Sequence, residues 1–246
     1  MTDVSRPPGL RALMFLLISG VLVFGTLAVL VALRWAPLID LDTPAAAAAY
    51  RAAFSTSWLQ AGARAVTAVG SPTTVDVITA VAVLGSALAR QWLPALAIAA
   101  GRLGELGIES VVKVVLDRPR PAFTPPLTVA SGASFPSGHA AGCSAVYGVL
   151  LLLAMPWLAR RWSRLVATAA VLLLVLAIAA SRLLLGVHYP SDVLAGLGLG
   201  WTCAAAAVLL IRAGPRRPAQ AGAPSTGGIV PTVSDRPPTS DDRTGR

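Results

Sequence analysis

The chain has 246 residues, 55% of them hydrophobic and 13% charged, with a mean hydropathy of +0.71. Soluble domains carry about 25% charged residues, so this composition excludes a water-soluble globule and, for the bulk of the chain, disorder. Two cysteines exclude a disulfide scaffold and a four-cysteine zinc site, and the +9 net charge, scattered between apolar runs rather than gathered in one patch, reads as membrane flanks with no nucleic-acid partner.

Apolar runs measured against the ~20 residues needed to cross a bilayer predict six spans: Leu10–Leu33, Pro72–Ala89, Leu93–Val115, Ala140–Leu158, Leu165–Leu185 and Val193–Ile211. The first exceeds the roughly 7–15 apolar residues of a signal peptide and lacks a small-residue cleavage site, so it reads as an uncleaved span. Residues 1–71 therefore form an N-terminal segment of one span and an Ala-rich connection, Arg34–Ser71, in which an interfacial helix is expected. Residues 72–212 form the core. From Ala213 to Arg246 the chain turns to Pro, Gly, Ser, Thr, Arg and Asp without an apolar period, the composition of a disordered tail. The expected fold class is an all-α polytopic membrane helix bundle with six transmembrane helices; nothing in the sequence specifies an oligomeric state.

Basic residues give the topology. Arg6, Arg11, Arg90, Arg160, Arg161, Arg164, Arg212, Arg216 and Arg217 fall on one side of six spans, with both termini cytoplasmic. Arg34, Arg51, Arg64, Lys113, Arg118, Arg120 and Arg182 fall on the other. This bias is small unless some residues of the second set are there for chemistry.

That chemistry is legible in scarce residue types. Lys113 is the single lysine, and His139 and His188 are the two histidines. Between spans three and four lie Lys113, Asp117, Arg118, Arg120 and Pro136-Ser137-Gly138-His139. Between spans five and six lie Ser181-Arg182, His188 and Asp192. Both connections follow odd-numbered spans, so both lie on one membrane face. Arg forks match phosphate oxygens and Lys adds a point charge. Ser137 and Gly138 start a helix, whose amides and dipole favour an anion, and Gly138 leaves room for close approach. Asp192, four residues after His188, is placed to orient its imidazole. Two histidines beside an anion cradle suit a nucleophile and an acid. Singly, each feature has a plainer explanation: a capped histidine, a helix start signal, snorkelling cations, an aspartate serving the helix dipole. Jointly, those explanations require both histidines and the lone lysine to meet by accident.

Within span three, Arg102, Glu105, Glu109 and Lys113 are spaced 3, 4 and 4 and share a helical face. The stripe reads as a compensated buried row leading to Lys113, with a proton path as the alternative. Asp76 fits either the interface or that network. Cys143 and Cys203 read as packing residues, and no spacing suggests a metal.

Lys113-x6-Arg120-Pro121, Pro136-Ser137-Gly138-His139 and Ser181-Arg182-x5-His188-x3-Asp192 resemble the three-part signature of the type-2 phosphatidic acid phosphatases. These lipid phosphate phosphatases share a superfamily with the vanadium-dependent haloperoxidases. All specified positions are present in order, the stretch Gly186–Asp192 is typical of bacterial members, and the likeness covers roughly residues 70–212. The resemblance implies an acid phosphatase/vanadium haloperoxidase-like core and a role for each residue. His188 would attack phosphorus, with Asp192 orienting it. His139 would protonate the leaving oxygen. Lys113, Arg120, Ser137, Gly138 and Arg182 would hold the phosphoryl oxygens. It implies no cofactor and no metal.

The expected function is hydrolysis of a lipid phosphate (phosphatidic acid, phosphatidylglycerol phosphate or a polyprenyl diphosphate such as undecaprenyl diphosphate, the last slightly favoured by analogy) on the extracytoplasmic face of the cell membrane. The expected partners are that lipid and the bilayer. A lipid-linked phosphotransferase and a membrane transporter are the alternatives.

Overall fold

A computed structural model describes residues 9–213. Among them there are helices and no strand: α1 (Leu10–Ala32), α2 (Ala36–Phe54), α3 (Ser57–Val69), α4 (Pro72–Leu88), α5 (Trp92–Leu116), α6 (Gly138–Ala154), a short 3₁₀ turn at Met155–Trp157, α7 (Arg161–Leu184) and α8 (Pro190–Ala213). Five stretches are long and apolar enough to cross a membrane: Leu10–Ala32, Ser57–Leu88, Gly138–Trp157, Arg161–Leu184 and Pro190–Ala213. They contain five of the six expected spans to within a few residues. The sixth, Leu93–Val115, lies in α5, which has the length but is broken in its apolar character by Arg102, Glu105, Glu109 and Lys113. The connection in which one interfacial helix is expected holds two helices, α2 and α3, and α3 runs with α4 in the stretch Ser57–Leu88. Ala213 closes α8 rather than opening a tail; the rest of the expected tail, with Arg216 and Arg217, and the N-terminal flank with Arg6 lie outside the described residues.

Local signals set the boundaries. Ser71 caps α4 by accepting from the Thr74 amide at 3.2 Å, with Pro72 in the first turn. Asp117 takes the left-handed conformation (φ 37°) that ends α5, one of the few non-glycine residue types to tolerate it.

α8 is the hub, packed along α6, α1 and α5. In a bilayer, helices associate through close van der Waals contact between small residues, because lipid tails are as apolar as leucine. Gly196 and Gly200 face α6: a Cβ at Gly196 would meet Ser137 and Ala140, and one at Gly200 would run into the Ala141 carbonyl and Ser144. Gly198, on the opposite side, abuts Gly20 and Phe24 of α1. α1 buries only Leu13 and Gly20 and turns Phe15, Leu22 and Val29 outward. Exposed Trp35 and Trp58 lie at one end of the bundle, and exposed Trp92, Trp157 and Trp162 at the other, two aromatic girdles of the kind found at membrane interfaces. Gly200→Val is expected to destabilise the detergent-solubilised protein by ~1–3 kcal/mol, the usual cost of overpacking, read as a lowered Tm. Gly104→Ala, with nothing within 4 Å of its Cβ, is the control and leaves Tm unchanged or raised.

α5 and α7 end, and α6 and α8 begin, at the same end of the bundle. The 117–137 connection between α5 and α6 is long for a loop without regular structure, and such loops are commonly functional. It is held from above and below. Tyr50 of α2 donates to the Pro125 carbonyl at 2.7 Å, and Arg64 of α3 to that of Leu127 at 2.9 Å. Phe123 stacks on Tyr50, and fully buried Phe135 stacks on Phe24 of α1.

Candidate active site

The last turn of α5, the 117–137 loop, the first turn of α6 and the α7–α8 turn surround one cavity of about 390 Å³. Lys113, Arg120, Gly138, His139, Arg182 and His188 all line it. Six of the eight residues singled out in the sequence thus meet at one place, drawn from α5, the loop, α6, α7 and the α7–α8 turn. The other two, Ser137 and Asp192, are fully buried behind it and joined to each other: the Ser137 amide donates to the Asp192 carbonyl at 2.9 Å, tying the start of α6 to the start of α8.

Gly186, with φ of 70°, turns the chain out of α7 and presents His188 to the cavity. His188 is 2% exposed. Its Nε2 is 3.0 Å from Arg120 Nη1, and its Nδ1 faces Asp192 Oδ2 at 3.5 Å. Burial pushes the imidazole pKa below its ordinary value; Asp192 opposes that shift, and Arg120 and Arg182 add to it. A neutral ring follows at pH 7, with the Nδ1 proton toward the carboxylate and the Nε2 lone pair toward the cavity.

Asp192 accepts the Tyr189 amide on Oδ2 at 2.9 Å, so it caps α8 as well as facing His188; the plainer and the chemical explanations of this residue both hold. Its Oδ1 accepts from Arg118 Nη1 at 2.6 Å. Arg118 also donates to Ser191 Oγ at 2.7 Å and to Asp42 Oδ2 at 2.8 Å, and lies over the Tyr189 ring at 4.3 Å. Asp42, in α2, receives the Ser191 amide at 3.0 Å and the Ser191 hydroxyl. A buried row, Asp42–Arg118–Asp192, therefore backs His188. The sequence reading left Asp42 unremarked and placed Arg118 in the loop without a role; a carboxylate in an Ala-rich apolar stretch is the signal that points to it.

The cations are held unequally. Arg120 is clamped by loop carbonyls: Nε donates to Gly132 at 3.0 Å, Nη1 to Val187 at 2.9 Å, and Nη2 to Ser131 and Ala133 at 3.1 and 3.2 Å. That fixes the guanidinium beside His188. Arg182 donates from Nη1 to Thr67 Oγ1 at 2.7 Å, while its Nε is buried without a hydrogen-bond partner. Ser137 Oγ and His188 Nδ1 share that condition. Buried polar atoms are nearly always satisfied; Nδ1 faces Asp192, and the two remaining donors at this cavity are what an oxyanion satisfies.

Gly138 has a neighbour that the sequence does not show. A Cβ there would meet the Glu109 carboxylate, so the missing side chain makes room for Glu109 as it stands. The α5 stripe is compensated: Arg102 bonds Asp76 Oδ1 through Nε at 2.9 Å and pairs with Glu105, and Glu109 Oε1 is 2.5 Å from Lys113 Nζ. Asp76 joins the network. Cys143 and Cys203 are free and buried.

A family model described as the PAP2 superfamily matches residues 92–215. Phosphatidylglycerophosphatase B of Bacillus subtilis (strain 168) is 38% identical over 96 residues, which is 38% of this chain and 46% of that protein. The match thus spans about half the length of that curated relative. The crystal structure described as the first transmembrane PAP2 type phosphatidylglycerolphosphate phosphatase, also from Bacillus subtilis, superposes with a TM-score of 0.72 at 24% identity, covering 83% of this chain and all of that one. At that identity the likeness speaks for the fold.

Proposed function

The chain belongs to the PAP2 superfamily and is an all-helical, multi-pass membrane protein; from that premise we propose that it hydrolyses the phosphate ester of a membrane lipid through a phosphohistidine. The observation that carries the reading is the convergence of both histidines and three cations on one cavity at one end of the bundle. His188 Nε2 attacks phosphorus, forming a P–N bond as the P–O bond to the lipid breaks. His139 gives its proton to the departing alkoxide, then takes one from the water that breaks the P–N bond and frees inorganic phosphate. Lys113, Arg120, Arg182, the Ser137 hydroxyl and the amides opening α6 carry the charge spread over the equatorial oxygens. When a phosphoryl oxygen takes the Arg120 donor, the Nε2 lone pair is released toward phosphorus. Asp192 closes on Nδ1 as positive charge develops on the ring. Fixed cations supply the electrostatic stabilisation, so activity persists in EDTA.

Counting α5 as a span gives six crossings. Arg11, Arg90, Arg160, Arg161, Arg164 and Arg212 then lie at the end opposite the cavity. This arrangement supports a cytoplasmic location for that end and an extracytoplasmic site. Within it, residues 72–212 form the catalytic core and the segment before them braces its loop. Both named relatives act, by their names, on phosphatidylglycerophosphate, which moves that lipid ahead of the polyprenyl diphosphate as first substrate. The test is phosphate release by the purified chain from phosphatidylglycerophosphate, phosphatidic acid and a polyprenyl diphosphate, with EDTA throughout. Vanadate-sensitive release from at least one is expected. Transfer of label to an added lipid or sugar acceptor without free phosphate would make the protein a phosphotransferase instead.

A further inference from the structure

Resting on the reading that this cavity takes a phosphoryl group, we propose that Glu109 is a built-in competitor for that group. Its carboxylate holds Lys113 in the free protein, gives it up when the phosphoryl anion binds, and reclaims it as inorganic phosphate leaves. Three observations converge on this role. Glu109 Oε1 lies 2.5 Å from Lys113 Nζ, one helical turn along α5. The same carboxylate fills the space beside Gly138, where the opening turn of α6 points its amides, so it sits on two of the groups that suit a phosphate. Glu109 is also the one acidic side chain lining the cavity among the described residues, in a lining that includes His139 and His188.

Charge makes the competition unavoidable. Arg102, the fourth cation of the lining, is already matched by Asp76 and Glu105. Glu109 therefore opposes Lys113, Arg120 and Arg182. A phosphate dianion arriving at Lys113 meets a fixed negative charge within one side chain's reach, and one ammonium cannot satisfy both at close range. The doubly charged ligand wins the exchange, at a lower affinity than the cations alone would give. A hydrolase whose product is itself a phosphate anion gains faster release from such a device. Glu109 acts through Lys113 and is a positioning residue.

The experiment compares inhibition by orthovanadate and by inorganic phosphate in the unaltered chain and in Glu109→Gln, which keeps the shape and removes the charge. Both inhibition constants are expected to fall about tenfold in E109Q, the scale of one partly desolvated ion pair, with KM falling alongside. A merely structural role would raise all three. Unchanged or raised constants overturn the proposal. Should E109Q fail to fold, Glu109→Asp, whose shorter arm withdraws the carboxylate from Lys113, is measured instead, with the same outcomes deciding. An unaltered chain that neither binds vanadate nor releases phosphate defeats the proposed function; one that does both, while the variant binds no tighter, defeats only the role of Glu109.

Discussion

Replacing His188 by alanine is expected to lower lipid phosphate hydrolysis by ~10⁴-fold or more, the scale seen when a covalent nucleophile is removed from a preorganised site. No other imidazole is so placed: Nε2 alone faces the cavity beside Arg120, with Asp192 behind the same ring. A reaction with lipid carrying ³²P in the transferred phosphoryl group, quenched in alkaline detergent, is expected to leave base-stable, acid-labile label on the unaltered protein and none on H188A. Retained turnover in H188A would transfer the nucleophile's role elsewhere. Protonation state gives a second readout. Attack requires neutral His188, and burial lowers its pKa from the usual ~6.5. The ring is therefore reactive above that lowered pKa and inactivated as pH falls through it. The acid limb of kcat/KM assigned to His188 should lie below ~6.5, not above it. The measurement is a pH profile from 4 to 9 with vanadate affinity followed in parallel.

The residues that carry this chemistry were readable because they are scarce. A chain with one lysine and two histidines that spends them all beside connections on one face advertises the site, whatever the exact span count. Spacing also placed Glu109 against Lys113, since four residues along a helix is one turn. What spacing could not show is contact between distant elements. Asp42 meets Arg118 across 76 residues and Ser191 across 149, and only the docking of α2 onto the starts of α8 and the loop makes them neighbours. The neighbour of Gly138 is likewise a side chain of another helix, the Glu109 carboxylate, which spacing along the chain does not place there. The fold shows the same division. Five spans announce themselves by apolarity alone. α5 does so less cleanly, because its charged stripe is compensated in part by Asp76 of α4, a relation invisible along the chain. The close seams of α8 against α6 and α1 depend on which side Gly196, Gly198 and Gly200 face, which packing decides.

Asp192→Asn should reveal whether the carboxylate acts through His188 or merely holds the helix start. Asp192 is fully buried and its two oxygens have three claims, Arg118 on one and the Tyr189 amide and the His188 ring on the other, and Arg118 is in turn paired with Asp42. Asparagine fits the volume but carries one NH₂. Turned toward Arg118, it sets donor against donor. Turned toward His188, it donates to Nδ1, forces the ring proton onto Nε2, and leaves the nucleophile without its lone pair. Either way kcat is expected to fall ~10²–10⁴-fold, as when the orienting acid of a histidine is made an amide. Stability falls less, because Asp42 still neutralises Arg118 at 2.8 Å, so Tm in detergent should drop by only a few degrees. The decisive comparison is the double variant. If Asp192 works through the imidazole, H188A with D192N is no slower than H188A alone, since residues that act as a unit are grossly non-additive. A further hundredfold loss in the double variant would mean that Asp192 serves catalysis by another route, and the row from Asp42 through Arg118 would then belong to the architecture of the α7–α8 turn rather than to the nucleophile.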